Sequence, residues 1–248
     1  MSAFKKEIRD DVSGYVLHAR PYQERSLLLT LLTLECGRVS AVMRLSAKSA
    51  ARSRAELRPF CPLFFSLVQG RSDLLVLRSA RPSGAGLKFP VPAVFCAEYL
   101  NELLYCLYKD REPSPELFAS YIRALGALAS GENAERPLRE FELALLSSLG
   151  YAPDFARADG REWEDSEAFV FISEIGIAPA QGYEDPRDLI SGRALNALCQ
   201  GDRVSPQALR ALKLINRRII AALLHGRRLH SRDLYGGYLK ESSDGQFL

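Results

Sequence analysis

The chain contains few of the residues that build metal, redox or disulfide sites. Its 248 residues include three histidines and five cysteines, and no Cys-x-x-Cys pair occurs. A zinc knuckle needs closely spaced pairs of ligands, and a disulfide framework needs an even, patterned set of cysteines. We therefore expect free thiols that behave as small hydrophobic side chains, in a reducing compartment, and we expect neither a metal nor another cofactor.

Long apolar runs are also missing. The most apolar stretch, Leu27 to Leu34, contains two threonines and ends at Glu35. It is much shorter than the about 20 residues that span a membrane, and the first residues lack the apolar core of a signal peptide. We expect a soluble, cytoplasmic protein without a membrane partner.

The motifs of common catalytic sites are absent as well. The sequence has no nucleophile elbow, P-loop, dinucleotide-binding glycine motif or His-Glu-x-x-His zinc motif. Carboxylates surround the single tryptophan, Trp163, and could hold a hard metal ion for a nuclease or hydrolase, but such runs are more often solvated loops. The carboxylates that could hold the ion are Glu162, Glu164, Asp165 and Glu167, and Asp159 lies in the same acidic segment. We therefore expect no catalytic residues and no enzymatic activity.

Positive charge is concentrated between Arg38 and Arg58. The whole chain has a formal net charge of +3, yet this stretch contains six cations and one acid, Glu56. The cations are Arg38, Arg44, Lys48, Arg52, Arg54 and Arg58. Such a local excess is typical of a surface that binds a phosphate backbone. An exposed basic loop without a partner explains the excess equally well.

Short blocks of alternating polar and apolar residues predict five β-strands in the first eighty residues. The blocks are Tyr15–Arg20, Ser26–Leu34, Arg38–Met43, Pro62–Gln69 and Asp73–Ser79. Five short strands with a long connection after the third favour a closed barrel of the OB-fold type, because closure removes exposed sheet edges. The expected fold class is α+β, with this barrel in residues 1–82.

Beyond a segment rich in proline and glycine at residues 81–92, the hydrophobic period becomes that of α-helices. Residues 83–248 are therefore expected to form a mainly helical domain, with a frayed tail from about residue 239. Helices are predicted at residues 93–108, 115–129, 137–149, 188–198 and 206–224, with one short strand at 168–172.

Two connections of the predicted barrel carry candidate DNA-binding residues. Arg20, Tyr22 and Arg25 lie between the first two strands, and Arg71 lies between the last two. These loops form the ligand-facing rim of many OB-folds. Cations beside an aromatic ring supply charge for phosphates and a stacking surface for the bases of a single strand. Tyr22 follows Pro21, however, and packing of the turn explains it equally well.

The predicted helix at residues 206–224 lies in a second basic region. Eight cations and no acid occur between Arg203 and Arg232. Arg210, Lys213 and Arg217 are three and four residues apart, so they share one helix face, and we expect them to contact DNA. The alternative is a solvated helix whose basic end complements the helix dipole.

Eight segments spread along most of the chain form a recognisable series, namely Gly14–Thr30, Thr33–Val39, Leu57–Phe60, Tyr99–Leu103, Leu117–Tyr121, Leu138–Leu146, Gly150–Tyr151 and Leu229–Arg232. Together they resemble the bacterial RecO family of DNA repair and recombination mediators. Their order and spacing make the resemblance specific.

The resemblance implies an OB-fold followed by a helical domain, in a nucleoid-associated protein. Proteins of this kind bind single- and double-stranded DNA, anneal complementary strands, and act with RecR. Together with RecR they help the recombinase RecA to displace single-stranded-DNA-binding protein (SSB). Many members carry a four-cysteine zinc module after the helix that ends near Gly150. In this chain, residues 151–200 contain a single cysteine, Cys199. The chain therefore resembles the zinc-free members, in which side chains such as Trp163 and Phe169 must pack this region.

The resemblance also implies a site for the acidic, phenylalanine-ended tail of SSB. Such a site needs a cation beside an apolar cleft. Arg139 lies at the family's position for the cation, and Phe118, Tyr121 and Arg123 are candidates to line the cleft, although packing alone explains the apolar character of the two rings. The alternative function is an OB-fold adaptor that binds the acidic SSB tail with little direct DNA contact.

Overall fold

The described residues of the computed structural model, 8–46, 54–69, 74–109, 112–182 and 185–243, form two compact units. The first unit comprises the residues up to Gly131 and those from Leu229 onward, and the second comprises Glu132–Arg228. The predicted division at residues 82 and 83 follows the change from strand to helix along the chain. The compact units follow packing instead, because helices after residue 90 pack with the strands of the first unit.

Five strands of the first unit close into a barrel in the order β1–β2–β3–β5–β4, and β4 pairs back with β1. The strands are β1 (Ile8–Tyr22), β2 (Ser26–Thr33), β3 (Gly37–Arg44), β4 (Leu63–Val68) and β5 (Leu75–Pro82). Neighbouring strands are antiparallel except β3 and β5, which are parallel. This is the topology of the OB-fold, and the predicted fold class is confirmed.

The alternation of side chains in β2 shows how the barrel core forms. Leu27, Leu29 and Leu31 point inward and are buried with apolar residues from every other strand. Their neighbours Leu28 and Thr30 point to the outer face, because successive side chains of a strand lie on opposite sides. The inner face is therefore apolar, and the outer face is available for other contacts.

Strand β1 pairs with two neighbours, and Gly14 lies where it passes from one to the other. Gly14 is opposite Leu63 of β4 and Thr33 of β2. A Cβ at this position would lie 2.2 Å from the carbonyl oxygen of Leu32, far closer than atoms in contact can approach. Glycine thus permits the close backbone approach that the closed barrel requires.

Six helices are described beyond the barrel, and none of those in the described part of the chain is long and apolar enough to span a membrane. They are α1 (Val91–Leu107), α2 (Pro115–Ala129), α3 (Glu135–Ser148), α4 (Gly192–Cys199), α5 (Pro206–Leu223) and α6 (His230–Ser243).

Helix α6 packs on α1 in the first unit. The carboxylate of Glu102 accepts hydrogen bonds from the backbone N–H groups of His230 and Ser231 at 2.8 and 3.0 Å, and so caps the N-terminus of α6. The guanidinium of Arg232 lies 5.3 Å from the centre of the Tyr99 ring. Helix α6 continues to Ser243 and so includes the first residues of the predicted frayed tail, whose residues 244–248 lie outside the described part of the chain.

A small sheet of order β7–β6–β8 lies in the second unit. Strand β6 (Ala168–Ile172) confirms the predicted short strand, while β7 (Gly176–Pro179) and β8 (Ile190–Ser191) were not predicted. The helix predicted from Asp188 begins only at Gly192, where the Ser191 hydroxyl accepts a hydrogen bond from Ala194 N. The preceding residues form a 3₁₀ turn and the short β8 instead.

Trp163 holds together the segment that precedes the small sheet. Its ring meets Phe169 edge-on with 4.7 Å between ring centres, and its indole N–H donates to the carbonyl of Phe155 at 2.8 Å. The side chain of Asn196 exchanges hydrogen bonds with the Trp163 backbone at 2.9 and 2.8 Å. The two rings that we expected to pack this region, Trp163 and Phe169, thus contact each other there.

Replacing Gly14 with alanine should destabilise the barrel, because the added methyl group forces β1 and β2 apart. We expect the free energy of unfolding to fall by about 1–3 kcal/mol, as for other overpacked sites, measured by denaturant unfolding. Gly126→Ala is the matched control, because no atom other than those of the neighbouring residues and the helix backbone lies within 4 Å of its new Cβ in α2. That control should be neutral or stabilising, and an equal loss in both variants would contradict the role of Gly14.

Candidate nucleic-acid interface

The outer surface formed by residues 15–22 of β1 together with β2 and β3 is the candidate nucleic-acid interface, hereafter the β1–β3 face. Cross-strand pairing arranges its side chains in rows. The rows are Tyr22, Ser26 and Arg44; then Arg20, Leu28 and Val42; then His18, Thr30 and Ser40; then Leu32 and Arg38. None of these side chains is acidic.

The first two rows remain open to solvent. Arg20 and Arg44 are exposed, and Tyr22, Leu28 and Val42 between them are half-buried. Exposed Val76 of β5 extends the second row beyond Val42. Cations beside an aromatic and apolar strip match the two requirements of single-strand binding, which are backbone neutralisation and a surface for bases.

The β1–β2 turn lies beside the end of β3. The backbone N–H of Leu45 donates to the carbonyl of Arg25 at 2.8 Å, which places the exposed side chains of Arg25 and Arg44 at one end of the barrel. Glu24 is an exposed acid at the tip of the same turn. The structure therefore brings together the predicted residues Arg20, Tyr22, Arg25 and Arg44.

Helix α1 borders the opposite end of the face. The ring of Tyr105 lies 4.9 Å from the His18 ring, and the Arg38 guanidinium lies 5.6 Å from the Tyr105 ring centre. Burial lowers the pKa of Arg38, and nearby Tyr105 and Cys106 partly oppose this shift. Arg38 is thus a half-buried strand residue at the border with α1, not part of an exposed connection.

The connection between β3 and β4 is described only at its two ends. Leu45 and Leu57 are buried in the barrel core and anchor these ends. Arg54 is exposed in a single helical turn, and Arg58 donates to the carbonyl of Ala55 at 2.8 Å. Lys48, Arg52 and Arg71 lie outside the described residues, so their contact with DNA stays a prediction.

Sequence reasoning missed two residues of this region. Arg78 is exposed on β5, where the pairing with β4 is irregular, and a lone arginine in a strand gives no signal in the sequence. His18 is exposed on the outer side of β1. Its spacing of two residues from Arg20 and four from Tyr22 was a detectable signal, because residues at this period share one side of a strand.

Cations of α5 are partly paired with acids of the second unit, and the expected contact of Arg210, Lys213 and Arg217 with DNA stays a prediction. Lys213 pairs with Glu135 of α3 at 3.3 Å, and the neighbouring Arg218 pairs with Asp188 at 2.6 Å. Arg210 reaches toward the carbonyls of residues 186 and 187 at 3.5 and 3.4 Å, and Arg217 is exposed. Acids from elsewhere in the second unit therefore neutralise part of this charge, and α5 is a weaker DNA-binding candidate than the β1–β3 face.

Phe118 and Tyr121, two of the residues predicted to bind the SSB tail, pack inside the first unit. Tyr121 is fully buried, its hydroxyl donates to Asn101 Oδ1 at 2.6 Å, and burial raises its pKa well above the ordinary value. Its ring lies 5.3 Å from that of Tyr15, and the Phe118 ring lies 6.2 Å from the same residue. Packing explains both rings, while Arg123 on α2 is exposed.

Arg139, the fourth predicted residue, belongs to a buried polar cluster of the second unit. It is 4% exposed, and its Nη1 lies 3.1 Å from Oε2 of the fully buried Glu142. Asn216 of α5 donates to Glu142 Oε2 at 3.2 Å and to the Arg139 carbonyl at 3.3 Å. The cluster joins α3 to α5, and the four predicted residues are divided between the two units.

Two carboxylates near Trp163, Asp165 and Asp159, pair with cations. Asp165 pairs with Arg193 at 3.2 Å, and Asp159 pairs with Arg157 at 2.9 Å. Among the residues that the structure describes, no group of three or more histidine, cysteine, aspartate or glutamate side chains is arranged to hold a metal ion.

Comparison with known proteins gives matches along nearly the whole chain. Residues 9–85 match the family model for the N terminus of recombination protein O, and residues 92–234 match that for its C terminus. The chain is 39% identical over 228 residues to the DNA repair protein RecO of Methylococcus capsulatus, covering 90% of this chain and 91% of that protein. It is 36% identical to the protein of the same name from Pseudoalteromonas atlantica, covering 91% and 94%.

Replacing Arg139 with alanine should destabilise the second unit, because Glu142 then remains buried without its cationic neighbour. We expect a loss of about 3–5 kcal/mol in the free energy of unfolding, measured in urea. Arg136→Ala is the matched control, since it removes a cation of the same helix from an exposed pair with Glu140. That control should unfold almost as the parent does. Equal effects of the two substitutions would refute the proposed importance of the buried pair.

Proposed function

Because the chain belongs to the RecO family of DNA repair proteins, we propose that it is a non-enzymatic mediator of DNA recombination. It binds single- and double-stranded DNA, anneals complementary strands, and acts with RecR to help load RecA onto SSB-coated DNA. The single observation that carries this proposal is the acid-free β1–β3 face, with exposed arginines beside half-buried aromatic and apolar side chains.

The charge on this face supports a mechanism of annealing that needs no ATP. Arg20, Arg25 and Arg44 neutralise phosphates and release the counterions that surround the DNA. Two complementary strands repel each other less once their phosphates are neutralised, and pairing of their bases then proceeds spontaneously. The strip of Tyr22, Leu28 and Val42 holds bases without reading their edges, so the binding tolerates any sequence.

The SSB tail is a second proposed partner. Arg123 is the exposed cation among the four residues suggested for this contact, whereas Arg139 lies beside Glu142 in the interior of the second unit. We therefore assign the direct contact with a tail carboxylate to Arg123, and we assign Arg139 a supporting role in holding α3 and α5 together. An exposed arginine can bind a carboxylate with two parallel hydrogen bonds.

Reversing the charge of Arg20 and Arg44 to glutamate should weaken DNA binding and make it less sensitive to salt. For single strands, the slope of log affinity against log salt should fall by about 0.7 for each phosphate that the protein no longer neutralises. Fluorescence anisotropy of a labelled oligodeoxythymidylate across a salt series measures this slope. Strand annealing on SSB-coated DNA should be abolished in parallel.

The double variant Lys109→Glu and Arg161→Glu is the control, because it changes the net charge equally at two exposed positions outside the β1–β3 face. It should leave both the slope and annealing unchanged. An unchanged slope in the Arg20 and Arg44 variant would exclude this face as the DNA site. Binding of an SSB-tail peptide without measurable DNA binding by the parent protein would instead support the adaptor function.

A further inference from the structure

We propose that β1 carries a stacking register for one DNA strand, in which His18 and Tyr22 each stack on a nucleobase. Arg20, between them, binds the phosphate of the intervening nucleotide. The inference deepens the proposed function and rests on it, because it concerns the same face. It adds His18 as a DNA-contacting residue, and it makes the contact specific for single strands.

The backbone of β1 sets the spacing of these three side chains. His18, Arg20 and Tyr22 lie opposite Thr30, Leu28 and Ser26 in an unbroken antiparallel register. They therefore share the outer side of the strand, while the alternate β2 residues face the core. Alternate side chains of a strand are about 7 Å apart, which is close to the step between neighbouring nucleotides in an extended single strand.

The ring of His18 is both supported and accessible. Tyr105 of α1 lies 4.9 Å from it with the two ring planes tilted by 37°, and the His18 side chain nevertheless remains exposed. The guanidinium of Arg38, 5.6 Å from the Tyr105 ring centre, contacts Tyr105 in turn. A ring that is already held in place loses little conformational entropy when a base stacks on it.

The alternation of ring, cation and ring favours a single strand over a duplex. Stacking on a protein ring requires an unpaired base with an open face, and the bases of a duplex already stack on one another. Arginine contributes through the phosphate, which single strands and duplexes share.

The test compares His18→Ala, Tyr22→Ala and Arg20→Ala in binding to oligodeoxythymidylate and to a duplex of equal length, each across a salt series. Each ring removal should weaken single-strand binding about tenfold while the salt slope and duplex binding stay unchanged. Arg20→Ala should lower the single-strand slope by about 0.7 and weaken binding to both ligands.

Two kinds of control separate stacking from structural damage. His18→Phe and Tyr22→Phe keep the rings, so they should retain most of the single-strand affinity. His230→Ala and Tyr151→Ala remove the same kinds of side chain from exposed positions outside the face and should have no effect. The register is overturned if the alanine variants bind single strands as the parent does, or if they lose single-strand and duplex affinity equally. It is also overturned if the phenylalanine variants lose as much single-strand affinity as the alanine variants. If Arg20→Glu with Arg44→Glu still weakens DNA binding and lowers the salt slope, the DNA face stands without the register.

Discussion

The close approach of β1 and β2 at Gly14 is the constraint on which the barrel and its outer face depend. Strand β1 must leave β4 and join β2 for the sheet to close, and a Cβ at Gly14 would meet the carbonyl oxygen of Leu32 at 2.2 Å. Beyond an irregularity between Val16 and His18, residues 18–22 of β1 run beside β2 in an unbroken register. That register places His18, Arg20 and Tyr22 on one side, where they can act on a ligand together.

In the second unit, several polar and aromatic side chains stabilise the interior rather than form an exposed binding surface. Arg139, Glu142 and Asn216 are almost wholly buried and join α3 to α5, while Trp163 packs on Phe169 and binds the Phe155 carbonyl. Removing one charge from such a cluster leaves the other buried and uncompensated. Cations of α5 are partly neutralised by acids of the same unit. On the β1–β3 face of the barrel, by contrast, exposed cations lie beside half-buried aromatic and apolar side chains.

Patterns of local origin were predicted from the sequence, and contacts between distant residues were not. Alternation in β2 and β3 and the helical periods of α1, α2 and α5 were visible because neighbouring residues set them. The pairing of Lys213 with Glu135 joins residues 78 positions apart, and the burial of Arg38 depends on Tyr105 of a later helix. Strands as short as β7 and β8 contain too few residues to show a period. Lys48, Arg52 and Arg71 are predicted to bind DNA on the basis of charge alone, because local sequence does not define how the connections that contain them fold.

Ultraviolet cross-linking of oligodeoxythymidylate, followed by mass spectrometry of the cross-linked peptides, tests most directly whether the β1–β3 face holds single-stranded DNA. The method reports the residues that touch bases without any substitution in the protein. The account predicts cross-links within β1 around His18 and Tyr22, together with peptides from β2 and β3. Cross-links confined to residues 132–228, with none in the barrel, would contradict it.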